Sequence, residues 1–143
     1  MIIKIKKVNE NARIPQYAHD NDAGMDLFST DITILMPGEI QLIHTGIAIE
    51  LPDDVEAQIR PRSGLALKNG ITVLNSPGTI DAGYRGEIGI IVINHGKESC
   101  EINIGTKIAQ MVITPIIHAT IQEVVELEES ERGRNGFGST GII

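Results

Sequence analysis

The sequence has little of what several protein classes depend on. Cys100 is the only cysteine among 143 residues, and the four histidines lack the spacing of metal ligands, which excludes a disulfide framework and a zinc site of the usual pattern. Twelve Lys and Arg face 19 Asp and Glu, and this net charge of −7 argues against a nucleic-acid partner. Because no apolar run approaches the length of a membrane span, we expect a soluble, cytoplasmic protein without a membrane partner.

Leucine and aromatic residues are also scarce, whereas isoleucine is abundant. The chain has 26 Ile against 8 Leu, together with only two Tyr and two Phe. Side chains branched at Cβ lose rotamer freedom in helices and pack well on sheets, so this composition favours strands. Partly alternating stretches rich in Ile and Val predict strands at residues 2–8, 39–51, 55–60, 88–94 and 107–117.

Turn signals separate these predicted strands. Fifteen Gly and six Pro are spread along the chain, as strands linked by hairpins require. We therefore expect one all-β domain, a sandwich or jelly roll, with a single short helix. That helix is predicted at residues 63–70, with Ser63 as its N-cap and Asn69-Gly70 as its left-handed end.

The C-terminal segment differs in character from the rest of the chain. Five Glu residues lie between positions 123 and 131, and a Gly-rich polar stretch follows. Such a segment buries too little surface to order itself, so it is either a frayed tail or an arm held by a ligand or a neighbouring subunit. The expected boundary divides the chain into a domain of residues 1–125 and a flexible arm of residues 126–143.

The arm contains the pattern G-x-G-x-x-G at residues 136–141. Only two residues follow Gly141, so the helix of a dinucleotide-binding fold cannot form, and that function is excluded. The glycine amides, together with Arg132, Ser139 and Thr140, could instead wrap a phosphate. Phe137 could stack on a base.

Two further segments carry candidate chemistry. Arg62, Ser63 and Gly64 begin the predicted helix and would suit a phosphate, although an ion-paired Arg beside an ordinary helix cap explains the same pattern. Asp81 lies between two turn clusters. It could act as a general base, although an Asp in such a local sequence more often serves the turn itself.

Taken in order, five segments resemble the five motifs of the trimeric dUTPase family. They are residues 23–29 (AGMDLFS), 61–66 (PRSGLA), 78–86 (GTIDAGYRG), 105–110 (GTKIAQ), and 132–133 with 136–141 (RG, then GFGSTG). Each motif is weak alone, but the match runs nearly from end to end. The resemblance implies a distorted jelly-roll homotrimer whose three sites are each built from three subunits, with the arm closing over a neighbour's site.

The resemblance also implies a reaction, the Mg²⁺-assisted hydrolysis of dUTP to dUMP and pyrophosphate. Asp81 would activate the water that attacks the α-phosphorus, with Gln110 nearby and Asp26 assisting indirectly. Mg²⁺ would bind through the phosphates and water rather than through protein ligands. Arg62, Ser63 and Gln110 would hold phosphates, and Gly64 would also bind the substrate.

Substrate selection is likewise assigned by the resemblance. Asn75 and the backbone of Gly78, Thr79 and Ile80 would read the uracil edge in a tight hairpin that leaves no room for a thymine methyl group. Tyr84 would pack against the deoxyribose. From the arm, Phe137 would cover the base, and the terminal phosphate would be held by Arg132, Gly138, Ser139 and Thr140.

One departure and two rival functions remain open. Arg134-Asn135 stand where many relatives have a small residue and Gly; Asn tolerates a positive φ, and Arg134 either adds a phosphate contact or improves solubility. Glu87 lies close enough to the third motif to raise a dCTP deaminase or a bifunctional deaminase-dUTPase as an alternative. A non-catalytic nucleotide-binding trimer is the other.

Overall fold

The computed structural model describes residues 1–141, which form ten strands and one helix. The strands are β1 (Lys4–Lys7), β2 (Met25–Phe28), β3 (Thr33–Leu35), β4 (Ile40–Glu50), β5 (Val55–Arg60), β6 (Ile71–Val73), β7 (Gly78–Ile80), β8 (Glu87–Asn94), β9 (Cys100–Ile102) and β10 (Lys107–Pro115). The helix, α1, spans Ser63–Asn69. Ile142 and Ile143, the end of the predicted arm, lie outside the described residues.

Two four-stranded antiparallel sheets pack over one apolar core. Their strand orders are β1-β4-β8-β6 and β2-β10-β5-β7, and β3 and β9 form a separate pair. Successive side chains of a strand point to opposite faces of the sheet, so every second one enters the core. In β5, for example, Val55, Ala57 and Ile59 are buried and the residues between them are half-exposed. The all-β, jelly-roll prediction with one short helix is confirmed.

The connections between strands correct one expectation. In the part of the chain that the structure describes, no two consecutive strands pair with each other, so the turns do not form simple hairpins. Residues 74–77 illustrate the point, because β6 belongs to one sheet and β7 to the other. The predicted hairpin around Asn75 is therefore a crossover loop. A turn signal predicts that the chain changes direction, but it does not predict which strand the next strand pairs with.

The long strands agree with the sequence prediction within a few residues, and the short ones do not. Residues 55–60 match β5, and residues 39–51, 88–94, 107–117 and 2–8 correspond to β4, β8, β10 and β1. β2, β3, β6, β7 and β9 were not predicted. Each has three or four residues, too few for a periodic pattern to emerge.

The short helix begins one residue earlier than predicted. Arg62 is the N-cap: its backbone is extended, its carbonyl accepts the Ala66 amide at 3.0 Å, and no side chain caps the helix. Ser63, predicted as the cap, is instead the first helical residue, so its hydroxyl is not bound to the helix end. The other end agrees with prediction, because Gly70 has φ 69°, the left-handed conformation that glycine adopts without a Cβ penalty.

Beyond β10, residues 116–141 contain no strand or helix. Apart from the half-buried Ile116, their large apolar side chains are exposed, with Ile117 95% and Val125 101% accessible. The boundary between domain and arm at residue 125 stays a prediction. Within the described residues, no helix is long and apolar enough to cross a membrane.

Candidate functional site

Asp26 forms the floor of a charged cleft. It lies in β2 opposite Gln110 of β10, so both side chains project from the same face of the sheet. The carboxylate of Asp26 accepts Arg62 Nε on Oδ1 at 3.1 Å and Lys107 Nζ on Oδ2 at 2.7 Å. Although Asp26 is only 8% exposed, both of its oxygens have a cationic partner, which is what a buried carboxylate requires.

Arg62 is fixed at the entrance to α1 by two contacts. Beside the ion pair with Asp26, its Nη1 donates to the backbone carbonyl of Lys107 at 3.3 Å. Ser63 and Gly64 follow in the first helical turn and are exposed, and the space around the Gly64 Cα is open. A guanidinium, a hydroxyl and a free backbone surface therefore share one wall of the cleft.

Gln110 completes the opposite wall. Its Nε2 donates to the carbonyl of Pro61 at 2.9 Å. Gly24 lies directly against it, and a Cβ added there would overlap Gln110 Oε1. The side chain of Gln110 thus lies between the start of α1 and Gly24, where any larger residue would have to displace it.

These residues enclose a cavity of about 350 Å³, which we call the Arg62 cleft. Its charged side chains are Asp22, Asp26, Arg62 and Lys107, and its other lining residues are Ala18, Ala23, Gly24, Ser63, Gly64 and Gln110. The cleft brings together five of the predicted site residues. A cavity with cations, a hydroxyl and an amide on its walls suits an anionic, phosphate-bearing ligand.

Asp81 lies elsewhere. Ile80 pairs with Ala57 near the start of β5, whereas Arg62 follows its end, so about six residues of strand, or roughly 15–20 Å, separate the two side chains. Asp81 lines a different cavity, of about 600 Å³, together with Asp53, Asp54, Ala82, Gly83, Ile116 and His118. It is exposed, and its carboxylate makes no hydrogen bond to residues 1–141.

The predicted base-reading and sugar-packing residues accompany Asp81. Asn75 lies in the crossover loop beside Gly78, with its Nδ2 3.5 Å from a Cβ built on that glycine. Thr79 and Ile80 complete β7. The hydroxyl of Tyr84 donates to the carbonyl of Glu87 at 2.9 Å, which fixes the ring over the turn of residues 81–86, and the residue stays 45% exposed.

The arm residues form a third, separate group. Between positions 130 and 141 the backbone folds into successive tight turns, and Arg132 Nε donates to the carbonyl of Asn135 at 3.0 Å. Phe137, with φ 46°, is fully exposed, and among the non-glycine residues of this stretch the positive φ falls on Phe137 rather than on Asn135. Gly138, Ser139 and Thr140 are exposed as well, and none of the described arm residues lines the Arg62 cleft.

Glu87, which raised the deaminase alternative, has a structural partner. Its Oε1 accepts the backbone amide of Gly46 at 2.8 Å, at the point where the pairing of β4 with β8 is interrupted. The carboxylate thereby satisfies a half-buried donor of the bulge.

Lys107 is the cationic cleft residue that sequence reasoning missed. It belongs to the fourth motif, where only Gln110 was assigned a role. A turn signal precedes it at Gly105, and this makes a lysine at the start of a strand look like an ordinary exposed end. Only the register of β10 against β2 reveals that Lys107 reaches Asp26.

No group of three or more His, Cys, Asp or Glu side chains that could hold a metal ion occurs among residues 1–141. In the Arg62 cleft, both oxygens of Asp26 are already engaged by cations. A divalent ion at this cleft would therefore have to be bound mainly by its ligand's phosphates and by water.

Comparison with known proteins gives a consistent result. A family model described as dUTPase matches residues 10–141. The deoxyuridine 5'-triphosphate nucleotidohydrolase of Clostridium tetani is 68% identical over 139 residues, which cover 97% of this chain and 96% of the relative. The same enzyme of Alkaliphilus metalliredigens is 64% identical over 140 residues, covering 98% and 97%.

Solved structures extend the likeness to three dimensions. A mutant dUTPase of Staphylococcus bacteriophage 80alpha with dUpNHpp is 32% identical, has a TM-score of 0.91 and covers 99% of both chains. A mutant dUTPase from phage phi11 of S. aureus, whose structure concerns a structural Mg(II) ion, is 30% identical with a TM-score of 0.84, covering 90% of this chain and 100% of that one.

Proposed function

This chain belongs to the dUTPase family, and we propose that it hydrolyses dUTP to dUMP and pyrophosphate at sites assembled from several copies of the chain. One observation carries the shared-site proposal. The Arg62 cleft, the Asp81 turn and the arm are three separate groups within one chain, and Asp81 lies roughly 15–20 Å from Arg62 by strand length. No single substrate phosphorus can contact both, so a complete site needs a second copy.

The Arg62 cleft of one copy would hold the triphosphate. Arg62 offers the guanidinium edge that Asp26 and the Lys107 carbonyl leave free, and Ser63 and the Gly64 backbone adjoin it. Gln110, clamped by Pro61 and Gly24, would bind an α-phosphate oxygen or the attacking water. Groups fixed before the substrate arrives stabilise developing charge without reorganisation, which is most of what phosphoryl transfer requires.

Asp81 of another copy would be the general base. It would take a proton from water as the oxygen attacks the α-phosphorus in line, and the bond to the bridging oxygen would break so that pyrophosphate leaves. Its exposed carboxylate supports this role, because the oxygens make no hydrogen bond to residues 1–141.

Selection for deoxyuridine would come from the same copy as Asp81. Asn75 and the backbone of residues 78–80 would bind the uracil edge, and the crossover loop would leave no space for a thymine methyl. Tyr84 supports discrimination against ribose because its hydroxyl is bound to Glu87, so the exposed ring is held in place against the sugar.

The arm would complete the site from a further copy. Arg132, Ser139 and Thr140 would bind the terminal phosphate with the Gly138 amide, and Phe137 would stack on the base. The full exposure of Phe137 in the single chain supports an external partner for its ring.

Mg²⁺ would enter with the substrate, bound by phosphate oxygens and water, and would neutralise charge on the triphosphate. No residue of the cleft is assigned as a direct ligand, because Asp26 is occupied by Arg62 and Lys107.

Exposed apolar surface supports a homotrimer. On the outer face of the β4 and β8 pair, Leu42 lies opposite Ile91 and Ile40 opposite Ile93, and Leu42 is 54% exposed. Ile117 and Val125 are almost fully accessible after β10. Contiguous apolar surface of this kind marks subunit contacts. In a cytoplasmic setting, such an enzyme would limit uracil incorporation into DNA and supply dUMP for dTMP synthesis.

Mixing two inactive variants tests the shared site. Asp81→Asn and Arg62→Gln would each be purified, denatured together in equal amounts and refolded. If Asp81 and Arg62 of one site come from different copies, about a quarter of the sites formed by random assembly contain both unmodified residues. Pyrophosphate release from dUTP should then return to about a quarter of that of the unmodified protein. Activity that stays at the level of the separately refolded variants would overturn the proposal.

A substrate panel tests the reaction itself. Purified protein with Mg²⁺ is given dUTP, dCTP, dTTP or UTP, and both pyrophosphate and ammonia are measured. We expect pyrophosphate from dUTP alone. Ammonia from dCTP would identify a deaminase, and tight dUTP binding without either product would identify a nucleotide-binding protein.

A further inference from the structure

Lys107 and Arg62 share a single carboxylate. Lys107 Nζ lies 2.7 Å from Asp26 Oδ2, and Arg62 Nε lies 3.1 Å from Asp26 Oδ1. The Lys107 carbonyl also accepts Arg62 Nη1 at 3.3 Å. One residue of β10 therefore holds Arg62 through its backbone and, by way of Asp26, through its side chain.

The charge of the Arg62 cleft depends on this lysine. Its titratable side chains are Arg62 and Lys107 against Asp22 and Asp26, which sum to zero when all are ionised. Without Lys107 the balance becomes −1, and one oxygen of the nearly buried Asp26 loses its partner. A carboxylate freed in this way repels a triphosphate and competes with it for the guanidinium of Arg62.

We infer that Lys107 is a positioning residue, whose ammonium neutralises Asp26 so that the guanidinium of Arg62 remains available to the substrate's phosphates. The inference rests on the proposed role of the Arg62 cleft and assigns a new residue to it. Lys107 acts through Asp26, because its ammonium is committed to that carboxylate at 2.7 Å.

A double-mutant cycle tests this role. Lys107→Met removes the charge while keeping an unbranched side chain, and we expect the KM for dUTP to rise about 10–100-fold while kcat stays within about threefold. Adding Asp26→Asn removes the carboxylate that Lys107 neutralises, so most of the loss in KM should be recovered in the double variant. Lys107→Arg retains the charge and should keep a KM near that of the unmodified protein.

Several controls separate this role from its alternatives. Lys97→Met removes a charge from an exposed lysine outside the cleft and should leave KM unchanged. Lys107→Gln replaces the methionine variant if that protein does not fold, and the same rise in KM is expected. The melting temperature and the affinity for dUpNHpp are measured for every variant.

Three outcomes would overturn the inference. A raised KM that Asp26→Asn does not relieve would mean that Lys107 contacts the phosphates directly. An unchanged KM in Lys107→Met and Lys107→Gln would mean that the charge has no role. If every Lys107 variant, including Lys107→Arg, lost kcat to the same extent and also had a lowered melting temperature, Lys107 would be a purely structural residue. Arg62→Gln separates a failure of this inference from a failure of the proposed function. If the KM of that variant for dUTP is normal, the Arg62 cleft does not bind the phosphates.

Discussion

The Arg62 cleft and the arm represent opposite ways of placing functional groups. In the cleft, Asp26, Arg62 and Gln110 are held by ion pairs and hydrogen bonds within one chain. In the arm, the hydrogen bonds around Phe137 join residues three positions apart in sequence, and the ring itself is fully exposed. The Asp81 turn lies between these extremes, with a hydrogen-bonded backbone and a carboxylate that makes no hydrogen bond to residues 1–141. Under the proposed function, the groups that stabilise charge are held within one chain, whereas the general base and the arm reach the substrate only when copies assemble.

The largest expected effect on activity follows from replacing Asp81, whose carboxylate makes no hydrogen bond to residues 1–141. Asp81→Asn should reduce kcat for dUTP by about 10²–10⁴, the usual contribution of a general base. The melting temperature should stay the same, because the side chain has no bond to lose among residues 1–141. Steady-state kinetics and thermal unfolding are compared, and a drop in melting temperature with modest kinetic loss would place Asp81 among the structural residues.

Removal of most of the arm should have the second-largest effect on activity. A chain ending at Ser130 lacks Arg132 and Phe137 and should lose about 10²–10³ in kcat/KM, the cost of removing transition-state donors. Its melting temperature should match that of the full chain, since residues 131–141 form no strand or helix and are all exposed. If truncation leaves kcat/KM intact, the arm is a frayed tail after all.

Replacing a buried residue of the β domain should lower stability and leave activity nearly unchanged. Asn94 is fully buried, and its side chain donates to the carbonyls of Leu35 and Glu98 and accepts the Gly96 amide. Asn94→Ala leaves these groups unpaired and should cost about 2–4 kcal/mol in unfolding free energy. Urea denaturation measures this loss, and kcat at temperatures where the variant is folded should change little.

The smallest effect concerns Cys100. Burial, followed by the charge of Glu101, raises the pKa of its thiol above the ordinary value. Less thiolate is present at pH 8 than in an unfolded chain, so iodoacetamide should modify the native protein more slowly, and the rate should rise with pH. The comparison uses the same protein in urea. Equal rates would contradict the protective effect of the fold.

The sequence predicted the long strands and half of the residues that line the Arg62 cleft, for different reasons. Apolar and polar residues alternate strictly in β5, and β8 is a run rich in Ile and Val, so both spans follow from the sequence. β2 gives no such signal, because Asp26 is buried among apolar residues and owes its burial to two cations from distant positions. For the same reason Lys107 could not be found: its partner is 81 positions away, and only the register of β2 against β10 brings them together.

Among residues 1–141, no two consecutive strands pair with each other, and this has a consequence for how the protein is made. The pairing of β2 with β10 must wait until β10 has left the ribosome, and that of β1 must wait for β4. Such distant pairings slow folding, because the loop entropy is lost before the contacts stabilise the chain. One of the two sheets therefore cannot close until synthesis has passed residue 111, so we expect its apolar strands to need protection from aggregation until the chain is nearly complete.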